Sequence, residues 1–229
     1  MVGRLTTGVP GLDKLLEGGF PAGSAILLVG PPGCGKSTIC QQFIFEGLKN
    51  SQPATYITLD LPPQEILESM TNFGLNAKKY SEKLKFIDAY SWRVGKGDAE
   101  NAISNLGNVN ELNIAVTEAM RQLAGEKQRR LVLDSISTLL LYADPSLVVK
   151  LIPVIIAKGK DNGFTQLLVL EEGVHDEKTV TTLNYITDGV VEFKMEEDNR
   201  FLRVSRMKAT EHKRDWFKFA ITNKGVVLK

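Results

Sequence analysis

The sequence repeats one pattern, in which a short and continuously apolar run is followed by a segment of helical periodicity. The runs lack the alternation of a strand with one solvent face, which is typical of strands buried on both faces of a parallel sheet. These runs are residues 24–29, 54–59, 84–87, 130–133 and 165–170. Helices are predicted between them at residues 37–48, 63–73, 111–124 and 145–161. The alternation predicts right-handed crossovers and an α/β fold, with a mainly parallel twisted sheet covered by helices.

The C-terminal part of the chain follows a different pattern. Its short apolar runs are joined by turn sequences at residues 197–199 and 223–225, and such short connections favour antiparallel pairing. The runs are residues 190–195, 201–207, 216–221 and 226–228. We expect these strands to extend the sheet. The length of 229 residues favours one domain spanning residues 1–229.

Composition excludes several classes of protein. The 28 Lys and Arg residues nearly balance 27 Asp and Glu residues, so no global field draws this chain to DNA or to an acidic membrane. Any contact with nucleic acid must therefore be local. The two cysteines, Cys34 and Cys40, form no CxxC pair and indicate a reducing compartment. Because the apolar runs are also too short to span a bilayer, we expect a cytoplasmic protein.

One segment, GPPGCGKST, lies between an apolar run and a predicted helix. It fits the pattern G-x-x-x-x-G-K-[ST], whose glycines allow backbone N–H groups to converge on a phosphate. The N-terminus of the following helix adds the positive end of its dipole. We therefore predict a nucleotide-binding segment, the phosphate loop, formed by Gly30, Pro31, Pro32, Gly33, Cys34, Gly35, Lys36, Ser37 and Thr38.

The motif also predicts roles for individual side chains. Lys36 should bridge the β- and γ-phosphates, Ser37 should bind Mg²⁺, and Thr38 should approach the α-phosphate. In the segment LVLDS, Asp134 ends an apolar strand, where an acid that holds the metal's water shell is expected. The alternative is that Asp134 only caps the next segment. ATP and Mg²⁺ are thus the predicted ligands.

Hydrolysis needs a further carboxylate near the γ-phosphate. Ser135 rather than Glu follows Asp134, so this group must come from elsewhere in the chain. Asp60, after the segment YITL, is the candidate. It could instead serve as the N-cap of the helix near Pro63.

Five segments in this order resemble the RecA-superfamily ATPases of the KaiC-like type. They are residues 6–24, the phosphate loop, YITLD, LVLDS and residues 205–212. The resemblance covers nearly the whole chain and is strongest to the single-domain archaeal RadA paralogs. It implies a RecA-like core, ATP with Mg²⁺, and active sites that lie between subunits in ring-forming or filament-forming relatives.

The resemblance implies slow hydrolysis. The family usually has two Glu residues after the second strand, the first of which activates water, whereas this chain has Asp60 and Leu61. The shorter Asp side chain would stand back by about 1.5 Å, and a displacement near 1 Å can cost roughly 10²-fold in rate. Loss of the second carboxylate at Leu61 could favour retention of bound ATP.

Two more elements carry expectations from the family. After the next core strand, where relatives have a polar γ-phosphate sensor, Glu171 or Glu172 could sense the phosphate or compensate for Asp60. Arg206 and Lys208 correspond to basic residues that reach a neighbour's γ-phosphate, although their order is reversed here. The alternatives are a surface loop for the carboxylates and strand-end cations for the basic pair.

RecA-type proteins contact single strands through loops, which makes single-stranded DNA a possible partner. Residues 88–97 place Trp92, Arg93 and Lys96 together, the combination that a base-stacking and phosphate-holding surface needs. The alternative is a segment folded back with Trp92 in the core. A second predicted loop, residues 173–182, carries mixed charges and is a poor groove for nucleic acid.

The leading hypothesis is therefore an ATP-binding protein with weak Mg²⁺-dependent ATPase activity. Its nucleotide state would control assembly with itself or a RecA-type partner, or association with single-stranded DNA in recombination or repair. The alternative is a non-hydrolysing ATP-dependent interaction module. A small nucleotide kinase ranks last, because the sequence lacks an Arg-rich lid segment.

Overall fold

The computed structural model describes residues 3–96 and 102–228. Its strands are β1 (Arg4–Leu5), β2 (Phe20–Pro21), β3 (Ala25–Gly30), β4 (Ala54–Thr58), β5 (Leu84–Asp88), β6 (Arg129–Asp134), β7 (Phe164–Glu171), β8 (Gly189–Glu196), β9 (Asn199–Met207), β10 (Phe217–Thr222) and β11 (Gly225–Leu228). Its α-helices are α1 (Pro10–Leu15), α2 (Lys36–Lys49), α3 (Pro63–Asn72), α4 (Val109–Gln122), α5 (Ile136–Tyr142), α6 (Pro145–Asp161) and α7 (Glu177–Ile186). Short 3₁₀ helices span Ala77–Lys83 and Ser91–Val94.

The main sheet has the strand order β11-β10-β9-β8-β3-β7-β6-β4-β5. Strands β8, β3, β7, β6, β4 and β5 are parallel, and β8 to β11 pair antiparallel in sequence order. The predicted α/β fold is therefore confirmed, including the antiparallel extension at the C-terminal end. Strands β1 and β2 form a separate two-stranded sheet.

Helices cover both faces of the parallel strands, which explains why the strands are continuously apolar. All six residues of β3 and of β6 are buried. One face packs against Val116 of α4, Leu139 of α5 and Ile152 of α6. The other packs against Phe43 of α2 and Ile66 of α3. Burial of each such side chain contributes about 1.5–3 kcal/mol, so the two layers hold the sheet between them.

A buried arginine fixes α2 over the sheet. Arg130 of β6 is fully buried, and its Nη1 donates hydrogen bonds of 2.7 Å to the carbonyl oxygens of Thr6 and Phe43. Its guanidinium also lies 4.4 Å from the centre of the Phe43 ring. Burial lowers the pKa of Arg130 to about 10, so the side chain remains charged at neutral pH. The helix that follows the phosphate loop is thereby anchored to β6.

Three helices differ from the sequence predictions. Helices α1 and α5 were not predicted, and the predicted loop at residues 173–182 is wrong because α7 begins at Glu177. Asp176 caps α7 by accepting a hydrogen bond of 2.9 Å from the backbone N–H of Thr179. Helix α6 has the predicted bounds and runs through Pro153.

Within residues 3–96 and 102–228, every helix is too short or too polar to cross a lipid bilayer.

Candidate nucleotide-binding site

The phosphate loop connects the end of β3 to the start of α2, the position that the motif requires. Gly33 and Gly35 have φ angles of 74° and 106°, which glycine adopts more readily than any other residue. At Gly30, an added Cβ would lie 2.6 Å from the Cβ of Phe193, so only glycine fits beside β8. The backbone thus curls at the N-terminus of a 14-residue helix and forms a place for an anion.

Lys36 lies inside the phosphate loop and is only 3% exposed. Its Nζ donates hydrogen bonds of 2.8 Å to the carbonyl oxygens of Gly30 and Pro31. The same nitrogen lies 2.8 Å from Oε2 of Glu171 and forms a salt bridge with it. Lys36 therefore joins the loop to the end of β7.

Asp134 lies at the end of β6 and is buried. Its Oδ2 accepts a hydrogen bond of 2.7 Å from the hydroxyl of Tyr56, and the hydroxyl of Ser37 is near enough to lower the pKa of its carboxyl group. Burial raises the pKa of Asp134 to about 6, against the lowering effects of Tyr56 and Ser37. The sequence analysis did not identify Tyr56. The sequence does contain a signal for it, since Tyr56 lies within an apolar run and a buried Tyr hydroxyl normally has a hydrogen-bond partner.

The residues present fit Mg²⁺. The structure brings together the hydroxyl of Ser37 and the carboxylate of Asp134, and oxygen is the ligand atom that Mg²⁺ prefers. The part of the chain that the structure describes contains no group of three His, Cys, Asp or Glu residues suited to a metal ion. Mg²⁺ is commonly held by one or two carboxylates together with the substrate phosphates.

Asp60 is exposed and lies two residues beyond the end of β4. Its Oδ1 accepts a hydrogen bond from the hydroxyl of Thr138 in the first turn of α5. The alternative that Asp60 is the N-cap of the next helix is wrong, because Pro62 is the N-cap residue of α3. Asp60 and Asp134 come from neighbouring strands and stand at the same edge of the sheet.

Glu171 is the last residue of β7, and its surroundings include residues that the sequence analysis missed. Its backbone N–H donates a hydrogen bond of 2.8 Å to Oγ of Ser137. The Nε2 of His175 lies 2.7 Å from the same oxygen. The first turn of α5 therefore contacts both candidate carboxylates, through Thr138 for Asp60 and through Ser137 for Glu171.

A small pocket of about 200 Å³ lies over this region. It is lined by Gly33, Gly35, Lys36, Ser37, Thr38, Glu171 and Ile221.

Arg206 and Lys208 lie at the opposite end of β3 from the phosphate loop. Gly189 pairs with Ile26 of β3 and with Met207 of β9, which places the basic pair near the start of β3. Nζ of Lys208 lies 2.8 Å from Oδ1 of Asp188, and Nη2 of Arg206 bonds to the carbonyl oxygen of Asn184. At about 3.3 Å per residue, the distance along β3 to Gly30 is roughly 13 Å. These two cations are therefore remote from the phosphate loop of their own chain.

Trp92 is partly buried and packs against the core, as the folded-back alternative describes. Its indole N–H donates a hydrogen bond of 3.1 Å to the carbonyl oxygen of Ala89. The guanidinium of Arg93 lies 5.0 Å from the ring centre of Tyr90 and 4.8 Å from that of Tyr142. Lys96 is exposed, and Gly97, the last residue of this predicted segment, lies outside the described residues.

Comparisons with known proteins show which family the chain is similar to. The family model described as the KaiC ATPase matches residues 5–229. The UPF0273 protein PF1931 of Pyrococcus furiosus is 31% identical over 240 residues, covering 100% of this chain and 94% of the relative. A UPF0273 protein of Thermotoga maritima is 30% identical, covering 100% of this chain and 96% of the relative. The crystal structure of the KaiC-like protein PH0186 from Pyrococcus horikoshii matches with a TM-score of 0.82 and 26% identity, and covers 100% of both chains.

Proposed function

This chain belongs to the KaiC family of ATPases, and from that premise we propose that it binds ATP with Mg²⁺ at the phosphate loop and hydrolyses it slowly. The observation that carries the proposal is the convergence of three groups at one edge of the sheet. Lys36, the hydroxyl of Ser37 and the buried carboxylate of Asp134 meet where β3 and β6 end.

The loop and its lysine would hold the triphosphate. The backbone N–H groups around Gly33 and Gly35 would face the β-phosphate, and Lys36 would exchange one of its carbonyl partners for a β-phosphate oxygen. Ser37 and Asp134 would hold Mg²⁺, which when bound neutralises charge on the β- and γ-phosphate oxygens. Tyr56 would keep the carboxylate of Asp134 in place for this task.

Asp60 is the proposed base that orients and activates the attacking water. The hydroxyl of Thr138 fixes one carboxylate oxygen of Asp60 and leaves the other available. Because Asp is one methylene shorter than Glu, this oxygen would stand back from the γ-phosphate and turnover would be slow. Glu171 is the second candidate, since its carboxylate already contacts Lys36.

The nucleotide state would control assembly of the chain with copies of itself. The phosphate loop and the pair Arg206 and Lys208 lie at opposite ends of β3, so one molecule cannot apply both to one nucleotide. A neighbouring copy arranged head to tail could bring its basic pair to the nucleotide held by the first copy. Such a heterologous interface generates rings or open filaments. Arg206 and Lys208 would then act on the γ-phosphate held by the adjacent copy.

Single-stranded DNA is the proposed further partner, relevant to recombination or repair. Arg93 and Lys96 would contact phosphates beside the aromatic rings of Tyr90 and Tyr142. Few cations are available there, so binding would be weak and strongly dependent on salt.

Single-turnover hydrolysis tests the proposal against the non-hydrolysing alternative. Excess protein is mixed with radiolabelled ATP and Mg²⁺, and both bound nucleotide and released phosphate are measured. We expect slow phosphate release from the wild type and no nucleotide binding by Lys36→Ala. Lys49→Ala, at the exposed end of the same helix, is the matched control. ATP that is bound but remains intact would establish the interaction module instead, and absence of binding would refute both.

A further inference from the structure

The carboxylate of Glu171 stands against the lysine that the phosphate loop presents to a nucleotide. Oε2 of Glu171 lies 2.8 Å from Nζ of Lys36, and the Glu171 side chain is 25% exposed while that of Lys36 is 3% exposed. Lys36 is thus enclosed, and Glu171 lines the same pocket as the loop glycines. The carboxylate therefore occupies a position beside Lys36 that a bound phosphate group would also occupy.

The surrounding charge makes this competition strong. Asp134 and Asp60 face the same region, and the charges of both Asp60 and Glu171 raise the pKa of Asp134. These three carboxylates are therefore near enough to influence one another, and Glu171 is the one that contacts Lys36. A terminal phosphate placed on Lys36 would add further negative charge next to Glu171, and like charges at this range repel strongly where water is excluded.

The backbone at Glu171 is also held in place by hydrogen bonds. Its backbone N–H donates to Oγ of Ser137, which is buried and which also contacts Nε2 of His175. The next residue, Glu172, donates its backbone N–H to the carbonyl oxygen of Gly30 at 3.0 Å. Movement of the Glu171 backbone would therefore strain contacts to α5, to the phosphate loop and to the segment that leads into α7.

We propose that Glu171 is a specificity-determining residue that makes the site distinguish nucleoside triphosphates from diphosphates. This inference rests on the nucleotide binding proposed above. A diphosphate fills the curled backbone of the loop and leaves the Lys36–Glu171 pair in place. A triphosphate has to displace the carboxylate of Glu171 from Lys36. Ser137 and His175 act as positioning residues, because they hold Glu171 over Lys36 until the terminal phosphate replaces it.

Binding measurements with a charge-neutral variant test the proposal. Calorimetry with Mg²⁺ compares ADP and the non-hydrolysable triphosphate AMP-PNP on the wild type, on Glu171→Gln and on Glu177→Gln. Glu177 is an exposed residue of α7 and provides the same change in net charge. Loss of the carboxylate charge replaces the ion pair with a weaker hydrogen bond from charged Lys36 to a neutral amide oxygen, so Glu171→Gln should bind AMP-PNP roughly tenfold more tightly. Its affinity for ADP should change much less, and Glu177→Gln should match the wild type for both nucleotides.

The outcomes separate the two proposals. Equal changes for ADP and AMP-PNP in Glu171→Gln, or weaker binding of AMP-PNP, would overturn the role of Glu171 while leaving nucleotide binding established. Absence of binding of either nucleotide by the wild type would instead overturn the proposed function and, with it, this inference. Retained ADP binding by Glu171→Gln shows that the variant is folded around its site.

Hydrogen exchange provides a second readout that does not depend on a variant. The backbone N–H of Glu171 is bonded to Ser137 in the ligand-free chain. AMP-PNP should increase exchange of the segment that contains Glu171 and His175, and ADP should leave it slow. Equal protection with both nucleotides would contradict the displacement of Glu171.

Discussion

The hydroxyl of Tyr56 donates a hydrogen bond of 2.7 Å to Oδ2 of Asp134, joining two neighbouring strands beside the phosphate loop. A hydrogen bond to a charged group contributes about 1.5–3 kcal/mol, so its loss should change an equilibrium constant roughly tenfold or more. Tyr56→Phe should therefore weaken Mg²⁺ binding to the ADP complex by about tenfold. Titration of Mg²⁺ at fixed ADP measures this change. Tyr185→Phe, at a residue that is 84% exposed, is the control, and an identical Mg²⁺ midpoint in all three proteins would exclude this role for Tyr56.

The length of the side chain at residue 60 should set the hydrolysis rate. Asp60→Glu advances the carboxylate and should raise the single-turnover rate, by up to about 10²-fold if reach alone limits it. Asp60→Asn should abolish hydrolysis and leave ATP bound, since it keeps the shape but removes the base. Asp161→Asn, at the exposed end of α6, controls for the change of charge. If Asp60→Asn hydrolyses ATP at the original rate, the base lies elsewhere and Glu171 is next to be tested.

Two inactive variants should restore activity to each other. Lys36→Ala lacks a working phosphate loop, and the double variant Arg206→Ala/Lys208→Ala lacks the basic pair at the other end of β3. In an equal mixture that assembles at random head to tail, about a quarter of the interfaces combine an intact loop with an intact pair. Hydrolysis by the mixture should reach about a quarter of the wild-type rate, whereas each variant alone remains inactive. Light scattering establishes that assembly has occurred, and an inactive assembled mixture would refute sharing of the site between copies.

Acid should remove the stabilisation supplied by Asp188. Burial raises the pKa of this carboxyl group, but hydrogen bonds from Lys160, Lys208 and the backbone N–H of Ala25 outweigh burial and hold the pKa below its ordinary value of 3.8. A lowered pKa in the folded state means that the stabilisation is present above pH 3.8 and is lost as the pH falls through the folded-state pKa. Asp188→Asn should be less stable than the wild type at pH 6, and the two should converge below pH 3.8. Urea unfolding midpoints across this range measure the difference, and a constant gap would rule out this carboxylate as the source.

DNA binding by the segment around Trp92 should depend on its cations and on salt. Trp92→Ala should weaken binding to a fluorescent single strand, because the indole ring supports Tyr142 at a centroid distance of 5.3 Å and Tyr142 in turn holds Arg93. Lys96→Ala should weaken binding and reduce the salt dependence by about one ion. Lys150→Ala, at an exposed lysine of α6, is the control. Unchanged affinity after all these changes would remove this segment from any DNA site.

The strands and the phosphate loop could be predicted from sequence because each depends on local signals. A continuously apolar run such as that of β3 leaves few structures open other than a strand buried on both faces, and the glycine pattern after it requires the turn into α2. Helix α6 was predicted with its observed bounds, because Pro145 at its start and Asn162-Gly163 at its end are local boundary signals.

The contacts that complete the candidate site could not be predicted in this way. Helix α5 has only seven residues, and its apolar sequence directly follows a buried strand, so periodicity cannot distinguish it from further core. Its contacts also join distant parts of the chain. Thr138 and Asp60 are 78 residues apart, and Ser137 and Glu171 are 34 apart. Only the packing of α5 against the ends of the strands brings these groups together.

The phosphate loop begins at the C-terminal end of β3, and Arg206 and Lys208 lie near the N-terminal end of the same strand. In a head-to-tail array, a copy with a damaged basic pair would leave its own loop intact but silence the loop of the molecule before it. In an equal mixture with intact copies, about half of the loops would still face an intact basic pair. The lost activity would fall on the neighbours of the defective copies, while the loops of those defective copies could still work.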